Sequence, residues 1–146
     1  MKKLEYKIDI AAPRKKVWDT MLDEKTYKEW TSVAWPGSLY DGEWKQGKNI
    51  RFISKDESGT LAVLEQVRPE EHIHAKHVAI LLPGGVEDRT SDIAKGWVGI
   101  TESYTFKERD GRTEVLVNIS THREWEKMFN EGWPKALAKL KEMCEQ

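Results

Sequence analysis

The sequence of 146 residues contains a single cysteine, Cys144, and no long apolar run. One thiol cannot form a disulfide within the chain and cannot build a thiolate metal site, which favours a reducing compartment. The longest apolar segment, "VAILL", is far shorter than the roughly 20 residues that a bilayer-spanning helix needs. The charged start "MKK" leads into alternating residues and not into a continuous apolar segment. We therefore expect a cytoplasmic protein without integral membrane association.

The chain also lacks an excess of either charge. Its 24 Lys and Arg residues nearly balance its 25 Asp and Glu residues, for a net charge of -1. A protein that binds phosphate backbones needs a positive field, so nucleic acid is excluded as a partner. There is no "GxSxG" nucleophile motif and no phosphate-binding loop, and no serine is visibly paired with a histidine. The sequence therefore indicates no catalytic nucleophile and no cofactor.

Tryptophan, in contrast, is abundant, with seven residues in a chain long enough for one domain, residues 1–146. Large aromatic side chains can fill a core and can equally form the wall of an apolar pocket. Their number alone does not distinguish the two.

Hydropathy patterns predict a strand, two helices, a series of strands and a final helix. "LEYKIDI", from Leu4 to Ile10, alternates apolar and charged residues, as a strand with one solvated face does. "APRKKVWDTML" has proline in its first turn and apolar residues at helical spacing, and a second short helix covers Glu24 to Trp30. The further strands are predicted at Ser38–Trp44, Asn49–Ser54, Thr60–Arg68, Ile73–Leu82, Trp97–Glu108 and Thr113–Thr121.

The dipeptide Asp110-Gly111 predicts a hairpin, because its two central positions need positive φ. Counting outward from this turn pairs Arg109 with Arg112 and Glu102 with Ile119. The same register pairs Phe106 with Val115 and Tyr104 with Val117. One face of the hairpin is then apolar except for Glu102.

The last predicted helix begins at Glu124 and is about 21 residues long, enough to cross a sheet at 1.5 Å per residue. It contains Gly132, Trp133 and Pro134 in succession, although glycine and proline cost about 1 and about 3 kcal/mol in a helix interior. This turn would either shape the wall of a cavity or mark a close contact between helix and sheet.

Four segments, taken together, resemble one known family: "IDIAAPRKKVWDTMLDEKTYKEW", "VLEQVRPEEHI", "YTFKERDGRTEVLVNISTH" and "GWPKALAKLKEM". The chain is similar over nearly its whole length to the START-like (SRPBCC) superfamily, and within it to bacterial homologues of the activator of heat-shock-protein ATPase. The resemblance implies an α+β helix-grip fold, in which a curved antiparallel sheet (β-α-α-β6-α) wraps around the C-terminal helix and encloses a cavity.

Two carboxylates and one histidine are expected to face this cavity. Glu102 shares the parity of Tyr104 and Phe106, and Glu65 stands among apolar residues of its strand. An unpaired buried carboxylate is unstable, so each needs a partner, cavity water or a proton. The pattern of its strand also places His77 inward. His72 and His74 have a spacing that some metal sites use, but no third ligand is evident, so no metal is predicted.

The residues expected to line the cavity share an inward position or an aromatic ring: Trp30, Trp35, Glu65, His77, Trp97, Glu102, Tyr104, Phe106, Trp133 and Leu137. Three functions stay open. The first is binding of a hydrophobic, lipid or aromatic small molecule. The second is a cyclase-like or hydrolase-like enzyme with a cavity Glu or His as acid or base. The third is stimulation of a chaperone ATPase by direct contact, as the family name implies.

Overall fold

Eight segments form one antiparallel sheet in the computed structural model, which describes residues 1–146. Apolar and polar residues alternate in the longer segments, such as Leu4 to Ile10. The strands are β1 (Lys2–Ile10), β2 (Leu39–Gly42), β3 (Asn49–Ile53), β4 (Gly59–Arg68), β5 (His72–Leu82), β6 (Val86–Asp88), β7 (Thr101–Arg109) and β8 (Arg112–Thr121). Their order in the sheet is β1-β8-β7-β5-β4-β3-β2, and β6 pairs with β5.

Four helices accompany the sheet. They are α1 (Arg14–Leu22), α2 (Glu24–Ser32), α3 (Asp92–Lys95) and α4 (Glu126–Cys144), the last preceded by a 3-10 turn at Arg123–Trp125. Helix α4 packs against β1, α1 and α2, so the sheet and the two N-terminal helices surround it. The predicted α+β helix-grip architecture is confirmed. None of the helices combines the length and the hydropathy that crossing a membrane requires.

The hairpin between β7 and β8 has the predicted register. Arg109 pairs with Arg112 and Glu102 pairs with Ile119, as counted from the turn. Asp110 and Gly111 have φ values of 54° and 76°, so both central residues are left-handed, as a tight hairpin turn requires. This turn positions Glu102 and Tyr104 on the inner face of the sheet.

The segment after β5 differs from the prediction. The residues between the predicted strands Ile73–Leu82 and Trp97–Glu108 include β6 and α3, so the sheet has one strand more than expected. Strand β7 begins at Thr101 and not at Trp97, because the residues after α3 form a turn in which Gly99 has a φ of 97°. Trp97 is thereby released from the sheet and reaches the interior from this turn.

The apolar side chains of α4 and of the inner sheet face form the main core. Fully buried members include Ile10, Val17, Ile50, Ile73 and Leu140. Pro134 lies inside the helix, which continues through it to Cys144. The side chain of Asn130, four residues before Pro134, accepts a hydrogen bond of 2.6 Å from the Tyr6 hydroxyl.

Candidate functional site

A cavity of about 360 Å³ lies between the sheet, α2 and α4, and 14 of its 23 lining residues are hydrophobic. Its wall includes the side chains of Trp30, Trp35, Trp44, Trp97 and Trp133. A volume in this range is typical of small-molecule sites, which are largely apolar with a few polar groups.

Trp133 is at the centre of the aromatic wall. Its ring centroid lies 5.4 Å from that of Trp35, edge to face, and 5.7 Å from that of Tyr104. The rings of Trp30 and Tyr6 lie at 6.1 and 6.5 Å. Because α4 lies between the sheet on one side and α2 on the other, Trp133 contacts both layers.

A polar network joins three cavity residues across β5 and β7. Nε2 of His77 lies 3.2 Å from Oε1 of Glu102, and the hydroxyl of Tyr104 donates a hydrogen bond to Oε2 of Glu102. Ala75 pairs with Glu102, so His77 lies two residues further along the neighbouring strand, on the same face. Both carboxylate oxygens thus have partners, although the surrounding row, Leu4, Ile119, Ala75 and Leu64, is apolar.

The network keeps Glu102 ionised. Burial by itself raises the pKa of this carboxyl, but the hydrogen bond and charge of His77 and the hydrogen bond from Tyr104 together hold the pKa below its usual value. Burial, followed by the charge of Glu102, raises the pKa of Tyr104 well above its usual value, and the same two causes raise the pKa of Tyr27. The cavity therefore presents one carboxylate among neutral phenols.

Seven of the ten residues expected to line the cavity do so: Trp30, Trp35, His77, Trp97, Glu102, Tyr104 and Trp133. Two others are buried elsewhere in the core. Phe106 lies nearer the hairpin turn, where it packs edge-on against Trp18 of α1 at 5.3 Å. Leu137 is one turn beyond Trp133 on α4, where the main core is filled.

The expectation for Glu65 is wrong. Its side chain is 46% exposed, and its Oε1 lies 3.4 Å from Nε2 of His74, outside the cavity. Glu65 is the extra residue of a β-bulge between Leu64 and Gln66 and has no register partner on β5. A bulge exchanges the faces on which successive residues lie. Strand β4 therefore turns Ala62 and Leu64 inward before the bulge and Val67 inward after it.

Sixteen of the 23 lining residues were not among those expected, and four of these are aromatic: Tyr27, Trp44, Phe52 and Phe129. Tyr27 and Trp30 are three residues apart on α2, and their rings meet edge-on at 5.5 Å. Phe52 and Ile50 share one face of β3 by simple alternation. Helical and strand periodicity could have identified Tyr27 and Phe52, whereas Trp44 follows the short strand β2 in an irregular segment.

His72 and His74 lie on the opposite face of β5. Nδ1 of His72 is 2.9 Å from the Thr105 hydroxyl, and Nδ1 of His74 is 2.5 Å from the Ser103 hydroxyl. No group of three or more His, Cys, Asp or Glu side chains is arranged to hold a metal ion.

Comparison with known families agrees with this architecture. The family described as "Activator of Hsp90 ATPase homolog 1-like protein" matches residues 11–145. The chain belongs to this family. The match includes every strand of the sheet after β1 and all four helices, so it covers every element that lines the cavity.

Solved structures show that other chains share the fold of this chain. A protein from Mesorhizobium loti is 16% identical with a TM-score of 0.75, covering 97% of this chain and 96% of that one. The Aha1 dimer from Colwellia psychrerythraea is 18% identical with a TM-score of 0.74, covering 99% and 97%. DynU16, a putative protein in the dynemicin biosynthetic locus, is 15% identical with a TM-score of 0.72, covering 99% of this chain and 47% of that one. No curated protein matches the sequence.

Proposed function

We propose that this protein binds a small hydrophobic molecule, aromatic or lipid, in the cavity between the sheet and α4. The observation that supports the proposal is the cavity of about 360 Å³ whose wall contains five tryptophans. Buried aromatic rings around an open volume leave apolar surface without packing partners, and an apolar ligand would supply those contacts. The family relationship is consistent with a ligand-binding role.

Native mass spectrometry of the protein as purified from cells tests this function, followed by organic extraction of whatever is released. We expect a defined mass above that of the polypeptide, which disappears on extraction. A protein at its bare mass, with no thermal shift and no change in tryptophan emission across lipid and aromatic compounds, would contradict the proposal.

A matched pair of variants links the retained molecule to the cavity. Thr60 lines the cavity, and Thr105 lies on the opposite face of the sheet, beside His72. Thr60→Phe fills part of the volume and should abolish retention. Thr105→Phe makes the same change in composition outside the cavity and should leave retention intact. Equal retention by both variants would place the molecule somewhere else.

A second candidate function is acid-base catalysis on the bound molecule. The observation that favours it is the contact of 3.2 Å between His77 and Glu102, because an ionised carboxylate orients an imidazole for proton transfer. If this function is correct, turnover depends on pH and is lost in Glu102→Gln, although that variant still folds. The Glu65→Gln variant should retain its activity. Unchanged activity in Glu102→Gln would exclude this assignment.

A chaperone-partner role has the family description as its only support. It predicts that the protein, used as bait, recovers the chaperone of its own cell and that it raises the ATPase rate of that chaperone. Failure to recover the chaperone in a pull-down would argue strongly against it.

A further inference from the structure

Four buried nitrogen atoms have no hydrogen-bond partner in the protein, and all four belong to residues that line the cavity. They are the indole nitrogens of Trp44, Trp97 and Trp133 and Nδ1 of His77. Buried polar atoms without partners are rare in folded proteins because each loses its hydration without compensation. Their concentration around one cavity indicates what a bound molecule has to supply.

Two other tryptophans do have partners in the protein. The indole nitrogen of Trp30, which is also in the cavity wall, donates to the carbonyl of Met21 at 3.0 Å, and that of Trp125 donates to the carbonyl of Gly96 at 2.9 Å. Trp125 packs edge-on against Trp97, with ring centroids 5.2 Å apart, yet only Trp97 is left unpaired. The aromatic faces around Trp97 are weak acceptors compared with an oxygen atom.

The unpaired atoms differ in what they require. An indole N–H can only donate, so Trp97 and Trp133 call for acceptor atoms, while Trp44 lies beside the hydroxyl of Tyr40. Nε2 of His77 donates its N–H to the anionic Glu102, and in the tautomer with the proton on Nε2 the other ring nitrogen, Nδ1, is an acceptor. A ligand that supplies hydrogen-bond partners to these nitrogens therefore carries both an acceptor oxygen and a donor hydroxyl.

The size and shape of the cavity further restrict the chemical class of the ligand. A cavity of about 360 Å³ corresponds to about a dozen water volumes of ~30 Å³ each. This fits a compact fused-ring molecule. Flat indole and phenol rings on several sides favour an aromatic body over a flexible chain.

We infer that the ligand is a compact aromatic molecule that carries both a carbonyl and a hydroxyl group. Its carbonyl oxygen accepts from the indole N–H of Trp97, whose ring centroid lies 5.3 Å from that of His77, and its hydroxyl donates to Nδ1 of His77. This inference rests on the proposed function and specifies its ligand. The nitrogens are buried, so the rings that carry them have to turn as the molecule enters.

The test compares four naphthalene probes by isothermal titration calorimetry on the full-length protein. They are hydroxyacetonaphthone with its two substituents on opposite rings, acetonaphthone, naphthol and ethylnaphthalene. We expect hydroxyacetonaphthone to bind tightest and the loss of either polar group to weaken binding about tenfold. Ethylnaphthalene should bind weakest of the four.

Variants connect this discrimination to named atoms. Trp97→Phe keeps an aromatic ring but removes the donor, so it should bring the affinity ratio of acetonaphthone to ethylnaphthalene close to one. Trp125→Phe is the matched control, because its N–H already has a protein partner, and it should leave the ratio unchanged. His77→Gln keeps a donor toward Glu102 and lacks Nδ1, so it should reduce the advantage of naphthol over ethylnaphthalene.

The ratios separate a polar contact from a change in folding, since a structural defect weakens all probes together. Equal binding of all four probes would overturn the inference and leave the proposed function standing. A ratio that Trp97→Phe and Trp125→Phe alter equally would overturn the assignment to Trp97. If no probe binds the folded protein, the inference is wrong, and the extraction experiment decides the proposed function separately.

Discussion

The indole ring of Trp35 packs directly against the backbone of α4 at Gly132. A Cβ atom placed on Gly132 would lie 2.6 Å from Cζ2 of Trp35, closer than any real contact. Glycine costs about 1 kcal/mol in a helix interior compared with alanine. This close contact explains why α4 keeps a glycine there, and it brings Trp35 into the cavity wall beside Trp133.

Gly132→Ala should lower the free energy of unfolding by about 1–3 kcal/mol, because the methyl group forces Trp35 away from the helix. In a Trp35→Ala background the same substitution should raise it by about 1 kcal/mol, since only the helix propensity remains. Urea denaturation followed by circular dichroism measures both values. The same sign in both backgrounds would contradict this explanation of Gly132.

Glu102→Gln should lower the free energy of unfolding by about 1–2 kcal/mol at neutral pH, because the hydrogen bonds to His77 and Tyr104 lose their charge. The pKa of Glu102 is lowered in the folded state, so its contribution is complete above the ordinary value of 4.5 and is lost as the pH falls below it toward the lowered pKa. The difference between wild type and variant should therefore shrink in acid. Denaturation at a series of pH values measures it, and a difference that grows in acid would contradict the lowered pKa.

Glu65→Gln should change the free energy of unfolding by less than about 0.5 kcal/mol, because its contact with His74 is exposed to solvent. Glu102→Gln and Glu65→Gln change the composition identically, so the difference between their effects on stability reports the burial of Glu102. Thermal denaturation of both variants under one condition provides the comparison. A large effect at Glu65 would show that the bulge contact matters to the fold.

Gly111→Ala should lower the free energy of unfolding by about 1–2 kcal/mol, because L residues other than Asn and Asp rarely adopt its φ of 76°. No heavy atom would lie within 4 Å of an added Cβ, so the cost is one of backbone strain alone. Gly111→Asn should cost clearly less, since asparagine tolerates left-handed geometry. Chemical denaturation of both variants distinguishes strain from a steric clash, which would affect Asn more than Ala.

Much of the fold could be predicted because its signals are local. Alternation predicted β1. The dipeptide Asp110-Gly111 predicted the register that pairs Glu102 with Ile119, because this one turn sets the geometry of the β7–β8 hairpin. The extra strand β6 escaped prediction because it has three residues and depends on pairing with β5. Short strands carry too few residues to show a period.

The inward position of a strand residue could be counted where periodicity continued without interruption. Glu102 follows the alternation of β7 from the hairpin turn, so its inward position could be counted. The alternation of β4 predicts the same inward position for Glu65, but the bulge at that residue changes the face of the sheet on which its side chain lies. A bulge arises from the fit between two neighbouring strands, so the sequence of one strand does not clearly indicate where it lies.

The order of the elements, the hairpin register and the apolar stripe of α4 could be derived from the amino-acid sequence, because each depends on contacts between near neighbours. The contacts of Trp35 with Gly132 and of His77 with Glu102, and the unpaired nitrogens of Trp97 and Trp133, follow from the tertiary fold. These relations join residues up to 97 positions apart. They depend on how the sheet curves around α4 and on the space left between the two.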